Sequence, residues 1–155
     1  MRHGPAEDVA GSGRDFDRAL TAAGRTRVAR VAEVLKREGE IPATVWTSPL
    51  VRAKETAALV AAICGLPGPP GVAEALAAGS DGRAFLDGLL EVGAGGDASV
   101  MLVGHEPDMT ELLQHALRDE RSGQGFDKAE VVVVAVTGAA RRLERTLDPR
   151  ELRFR

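Results

Sequence analysis

The chain has 155 residues, of which 44% are apolar and 28% charged, with a net charge of -3 and a mean hydropathy of -0.09. That length suits a single domain spanning residues 1–155, and the composition is that of a folded globular protein rather than a disordered or fibrous one. The slight acidity excludes a general attraction for nucleic acid or anionic membrane, no stretch approaches the ~20 apolar residues that span a bilayer, and no signal segment opens the chain, so a cytoplasmic protein is expected.

After Thr21, a helix cap, Val28, Val31, Ala32 and Leu35 fall on one helical face, and the pattern stops before Gly39. Thr44 to Thr47 reads as a short strand that runs through Ser48-Pro49 into a second helix, with Ala53, Thr56, Ala57, Val60, Ala61 and Cys64 on one face. Leu66 to Gly71 must be loop, since its prolines and glycines deny both helix and sheet ladders. A third helix is expected over Asp81 to Val92, followed by a Gly93 to Asp97 loop. Ser99 to Val103 has the length and apolarity of a buried parallel strand, ending at Gly104-His105, and Pro107 starts a fourth helix. Glu130 to Val136 and Arg141 to Leu147 read as a hairpin turning at Thr137 to Ala140. Strands alternating with helices predict a three-layer α/β/α sandwich on a mostly parallel sheet.

Cys64, the one cysteine, is expected to be a buried structural thiol. From Ala139 to Arg155 six arginines face three acidic residues, which reads as a solvated final strand and tail or as a docking surface for an acidic partner. Of the three histidines, His115 lies on the fourth helix without glycine or arginine neighbours and is taken as structural. The other two stand beside glycines, in Arg2-His3-Gly4 and Gly104-His105-Glu106-Pro107. Ligand sites in open α/β sheets collect at the carboxyl ends of parallel strands, where residues distant in sequence converge. A third junction, Thr47 to Ala53, contributes Arg52. Arginine forks suit tetrahedral oxyanions, a neutral imidazole is a competent nucleophile, and a second imidazole can donate to the charge that develops on phosphoryl oxygens. Two arginines and two histidines thus make a phosphoryl-transfer pocket that requires no metal.

Arg2-His3-Gly4, the Ser48-Pro49-Leu50-Val51-Arg52-Ala53-Lys54-Glu55-Thr56-Ala57 block and Val103-Gly104-His105 resemble, in order, the three signature segments of the histidine phosphatase superfamily. The Leu20-Thr21-Ala22-Ala23-Gly24 step matches as well. The short chain, the lack of a large inserted cap and the Gly104 to Pro107 turn look most like the phosphohistidine phosphatase SixA group. The resemblance implies the phosphoglycerate mutase-like fold with a minimal cap. It implies that His3 is the nucleophile, phosphorylated on a ring nitrogen, and that Arg2, Arg52 and His105 bind the phosphoryl group, with help from the backbone amide of Glu106. It also places Glu74 where larger members carry a proton donor, with Asp8, Asp15 and Asp81 as rivals. A labile phosphorus–nitrogen bond relaxes the need for any strong acid.

The chain departs from the family pattern in having only Met1 before Arg2, where members carry an apolar strand; an unanchored terminus there costs the nucleophile its positional precision. The reading of the whole is a monomeric, cofactor-free phosphatase that removes phosphate from histidine on a protein and keeps full activity in a chelator. The runner-up is a phosphomonoesterase acting on a small phosphate ester, for which Arg14, Arg18 and Arg83 are candidate substrate contacts. A mutase is disfavoured because little of the chain is available as a lid. The missing first strand is what favours a third reading, a phosphate-binding module without turnover.

Overall fold

The computed structural model describes residues 1–93, 99–121, 123 and 125–155, so the expected loop after the third helix lies outside the described residues beyond Gly93, which ends that helix. All four expected helices form: α1 (Ala22–Arg37), α2 (Val51–Cys64), α3 (Arg83–Gly93) and α4 (Asp108–Leu117). The strands are β1 (Thr44–Thr47), β2 (Gly71–Val72), β3 (Val100–Val103), β4 (Val131–Thr137), β5 (Ala140–Asp148) and β6 (Arg153–Phe154). Boundaries move where side chains compete for the first amides of a helix. Asp81 accepts the Arg83 N–H at 3.0 Å, which leaves it outside α3, and Pro107 precedes α4, its carbonyl accepting from Thr110 and Glu111.

Strand β2 starts inside the stretch read as loop. Gly71 pairs with Trp46, and a Cβ there would stand 2.5 Å from the indole, so only glycine lets an edge strand lie against that ring. The order β2-β1-β3 is parallel throughout, while β4-β5-β6 is antiparallel. Residues 1–3 lie between the two sets. Gly104 N–H donates to Met1 O at 3.2 Å and His3 N–H to Gly104 O at 3.0 Å; on the other side Arg2 N–H donates to Glu130 O and Ala129 N–H to His3 O, both at 3.1 Å. Met1 is buried and its amine donates to Leu102 O at 2.8 Å. The loss of anchoring expected before His3 therefore does not occur, because three residues suffice when both their neighbours are paired backbone.

Alternation along the strands defines three layers. Val45, Met101, Val103 and Val131 pack with Val28, Val31, Leu35, Ala57 and Val60 of α1 and α2, whereas Trp46, Leu102, Val132 and Val134 face Phe85, Leu86, Met109, Leu112 and Leu113 of α3 and α4. Cys64 is buried in the first of these cores. In the final hairpin and tail, Arg142, Arg145, Arg150, Arg153 and Arg155 each pair with an acidic side chain of the chain itself, which leaves that segment neither simply solvated nor an open cationic surface. Among the described residues no helix is long and apolar enough to cross a membrane.

Candidate active site

Three chain segments end at the carboxyl edge of the parallel strands and meet there: residues 1–4, the β1 to α2 junction and the β3 to α4 junction. The glycines explain how closely they approach. A Cβ on Gly4 would meet Val28 at 2.5 Å and one on Gly24 would meet Pro5 O at 1.9 Å, so α1 can press against the chain just after His3 only with glycine at both places. Thr21 caps α1 through Gly24 N–H at 2.9 Å and gives its own N–H to Pro5 O, which fixes that approach. Gly4 N–H donates to Thr56 Oγ1 at 3.0 Å, tying the same turn to α2.

His3 and His105 are 6% and 3% exposed, and their ring centroids lie 5.1 Å apart. His3 Nδ1 lies 2.7 Å from Gly4 O; a carbonyl only accepts, so the ring proton sits on Nδ1 and Nε2 carries the lone pair. Burial, with the charges of His105, Arg52 and Arg2, outweighs that hydrogen bond and lowers the His3 pKa to about 3. Burial and the Arg52 charge lower that of His105 to about 4, against a partial rise from Asp15. Both rings are neutral at physiological pH. His105 Nε2 is 2.7 Å from Ser48 Oγ, which also accepts the Leu50 N–H at 3.2 Å. Among the described residues Nε2 is the one acceptor that meets the Ser48 hydroxyl, so Ser48 donates to it and the His105 proton resides on Nδ1.

Arg52 is 4% exposed, and it donates from Nη1 to Asp15 O at 2.9 Å and from Nη2 to Asp15 Oδ2 at 3.0 Å. Arg2 donates from Nη1 to Phe126 O at 2.6 Å. What remains is unusual for a protein interior: Arg2 Nε, Arg52 Nε and His105 Nδ1 are buried without a partner among the described residues. Arg2 and Arg52 both lie near enough to His3 for their charges to depress its pKa. Three orphaned donors around a neutral imidazole with a free lone pair form a receptor for an oxyanion beside a nucleophile. The Glu106 amide, at the turn into α4, has no acceptor among the described residues.

Among the described residues, the remaining candidates make no hydrogen bond or ion pair with this cluster. Glu74 is exposed in the turn after β2 and makes no hydrogen bond or ion pair with the two histidines or two arginines. Asp81 pairs with Arg83, and Arg83 reaches towards Glu111 rather than to the cluster. Asp8 offers only its backbone carbonyl, to Arg18, while Arg14 pairs with Asp17. His115 Nε2 pairs with Asp87 of α3 at 2.8 Å. Among the described residues no group of three or more His, Cys, Asp or Glu side chains is disposed to hold a metal ion. Sequence reasoning missed Ser48 and the Gly4 carbonyl as partners of the two rings, although Ser48 stands at a strand end, where such residues gather.

Three comparisons bear on the cluster. A family model described as the histidine phosphatase superfamily (branch 1) matches residues 1–77. An uncharacterised protein of Picosynechococcus is 35% identical over 148 residues, covering 96% of this chain and 88% of its own. The protein histidine phosphatase SixA, solved in complex with tungstate, superposes with a TM-score of 0.87 at 25% identity, over 99% of this chain and 97% of its own. A mycobacterial glucosyl-3-phosphoglycerate phosphatase, solved with VO3, shares the fold at a TM-score of 0.68 and 20% identity, over 93% and 95% of the two chains.

Proposed function

The chain belongs to the histidine phosphatase superfamily and is on that ground a phosphatase, and from this premise we propose that it hydrolyses phosphohistidine displayed on another protein. The observation that carries the reading is the set of unpartnered buried donors, Arg2 Nε, Arg52 Nε and His105 Nδ1, beside a nucleophile whose tautomer is already set. His3 Nε2 attacks phosphorus, and the electron pair of the breaking phosphorus–nitrogen bond goes to the leaving imidazole. Water then attacks phospho-His3, the bond pair returns to Nε2 and orthophosphate leaves. Arg2, Arg52, His105 and the Glu106 amide hold the phosphoryl oxygens through both steps.

The SixA likeness supports a nitrogen-linked substrate, and the tungstate bound to that protein is a tetrahedral oxyanion like phosphate. Among the described residues no large inserted cap covers the pocket, which suits a histidine presented on a protein surface. The second reading, a small phosphate ester, draws on Arg18, whose charge reaches His105, and on the fold shared with a glucosyl-3-phosphoglycerate phosphatase. Glu74, exposed in the turn after β2, is assigned as proton donor for substrates of that kind, since an alkoxide needs a proton and a protonated imidazole does not.

Phosphate release from a phosphohistidine-bearing protein and from a panel of esters, with EDTA present, tests the reading. Turnover of phosphohistidine is expected to fall by on the order of 10⁴-fold or more in His3→Ala, together with loss of an acid-labile phosphoenzyme. Preference for an ester overturns the leading reading in favour of the second. Glu74→Gln is expected to slow esters more than phosphohistidine.

A further inference from the structure

We infer that the Asp15 carboxylate reads the leaving group: it accepts a hydrogen bond from the distal N–H of a protonated phosphoimidazole and discriminates against phosphate esters, a role that rests on the phosphohistidine reading above.

The argument starts from where this carboxylate is held. Asp15 opens a short 3-10 turn (Asp15–Asp17) in the loop between residue 4 and α1. Its Oδ2 accepts from Arg52 Nη2 at 3.0 Å, its backbone carbonyl accepts from Arg52 Nη1 at 2.9 Å, and its Oδ1 faces Arg18 Nε at 2.9 Å. A phosphate-binding arginine is thereby shared between the pocket and a carboxylate. Arg52 has five N–H bonds; Asp15 takes two, leaving Nε and one hydrogen on each terminal nitrogen for an oxyanion, so both partners bind at once.

Arg52 is buried, yet the Asp15 side chain is 63% exposed. His3 forms the buried floor, so a phosphoryl group attacked from Nε2 must release its leaving group toward the open side, where Asp15 stands. Asp15 also acts at a distance on His105, raising its proton affinity. Desolvation favours the neutral acid, but the Arg52 hydrogen bond and the charges of Arg52 and Arg18 outweigh it and hold the carboxyl below its ordinary range. The group is therefore an anion when substrate binds, which makes it a poor proton donor and a good acceptor.

An anion at that position separates the two substrate classes. A phosphohistidine ring protonated on its distal nitrogen presents a cationic N–H; Asp15 raises the fraction in that form. When the phosphorus–nitrogen bond breaks, its electron pair stays on the released nitrogen, the distal proton stays where it was, and neutral imidazole departs with no proton delivered by the enzyme. A phosphate ester offers no such donor, and any further anionic group on it meets like charge.

The test compares wild type with Asp15→Asn and Asp15→Glu on a phosphohistidine-bearing protein and on p-nitrophenyl phosphate, across pH. The amide of Asn keeps an oxygen for Arg52 while removing the charge. The ratio of kcat/KM for phosphohistidine over the ester is expected to fall about tenfold in Asp15→Asn, the low end for a charge-assisted hydrogen bond because the site stays solvated. The alkaline limb of the phosphohistidine profile, which reports ring deprotonation, is expected to move to lower pH, and Asp15→Glu to restore part of both effects. Equal losses on both substrates with an unmoved alkaline limb would mean that Asp15 only positions Arg52, and would overturn the inference while leaving the phosphohistidine reading intact. A wild-type enzyme that turns over the ester and not phosphohistidine overturns both.

Discussion

At the floor of the pocket, His3, Ser48, Arg52 and His105 are at most 6% exposed and are fixed by backbone carbonyls, a buried hydroxyl and glycine contacts that leave no room for a Cβ. In the loop above, Ser12, Arg14 and Asp15 are exposed, Asp17 and Arg18 are half-buried, and the five hold one another through a serine hydrogen bond and short-range ion pairs. Bonds of the first kind persist because breaking one strands a buried polar group; those of the second are individually worth little and are screened by salt. The comparison teaches that the enzyme keeps the attacking and phosphate-binding groups preorganised, and entrusts contact with the variable part of the substrate to an element that can adjust. Arg52 belongs to both regions.

Breaking that shared residue has the largest expected effect. Arg52→Ala removes a phosphate donor from the floor and the tether of Asp15 from the loop, and kcat/KM is expected to fall by roughly 10²–10³-fold for either substrate class, measured by phosphate release. Ser48→Ala acts only on the floor, through the tautomer and orientation of His105. A loss of about tenfold in kcat with little change in KM is expected, along with destabilisation of about 1 kcal/mol in urea unfolding, the usual cost of one buried hydrogen bond. If kcat is unchanged, His105 does not depend on Ser48 for its proton position.

A pH series sharpens the contrast further. The folded pKa values of His3 and His105, about 3 and about 4, lie below the ordinary 6.5 of the unfolded chain, so between those limits the unfolded state binds more protons. The contribution of the two neutral rings to stability is complete above pH 6.5 and is lost progressively as pH falls towards 4 and then 3. The urea midpoint is therefore expected to drop between pH 7 and pH 5, and to drop less in His105→Asn; the salt dependence of that drop should be weak, as befits the floor rather than the loop.

Much of the fold was legible because its signals are local. The 3.6-residue spacing of Val28, Val31, Ala32 and Leu35, the cap at Thr21 and the apolar run ending at Gly104 each dictate an element within a few residues. The two-residue strands β2 and β6 carry no periodicity, and Gly71 reads as a loop breaker until the Trp46 ring beneath it is known. In the site, His3, His105, Arg2 and Arg52 stood out as glycine-flanked or helix-starting residues just past strand ends. Gly4 O could not stand out, since every residue has a carbonyl. Nor could Asp15 be singled out among Glu7, Asp8, Asp15 and Asp17, since only the path of the loop decides which carboxylate reaches Arg52.

The amino-acid sequence by itself determined the chemistry available: two imidazoles, two guanidinium groups, and the glycines that admit them to strand ends. Tertiary structure decided the protonation and partnership of those groups. Burial makes both rings neutral, a carbonyl and a hydroxyl set their tautomers, and the pairing of residues 1–3 with β3 and the Ala129-Glu130 lead-in to β4 anchors the nucleophile that a linear reading leaves at a loose end. The physical reason is that residue type is a local property, whereas desolvation and hydrogen-bond geometry depend on neighbours brought from more than a hundred positions away.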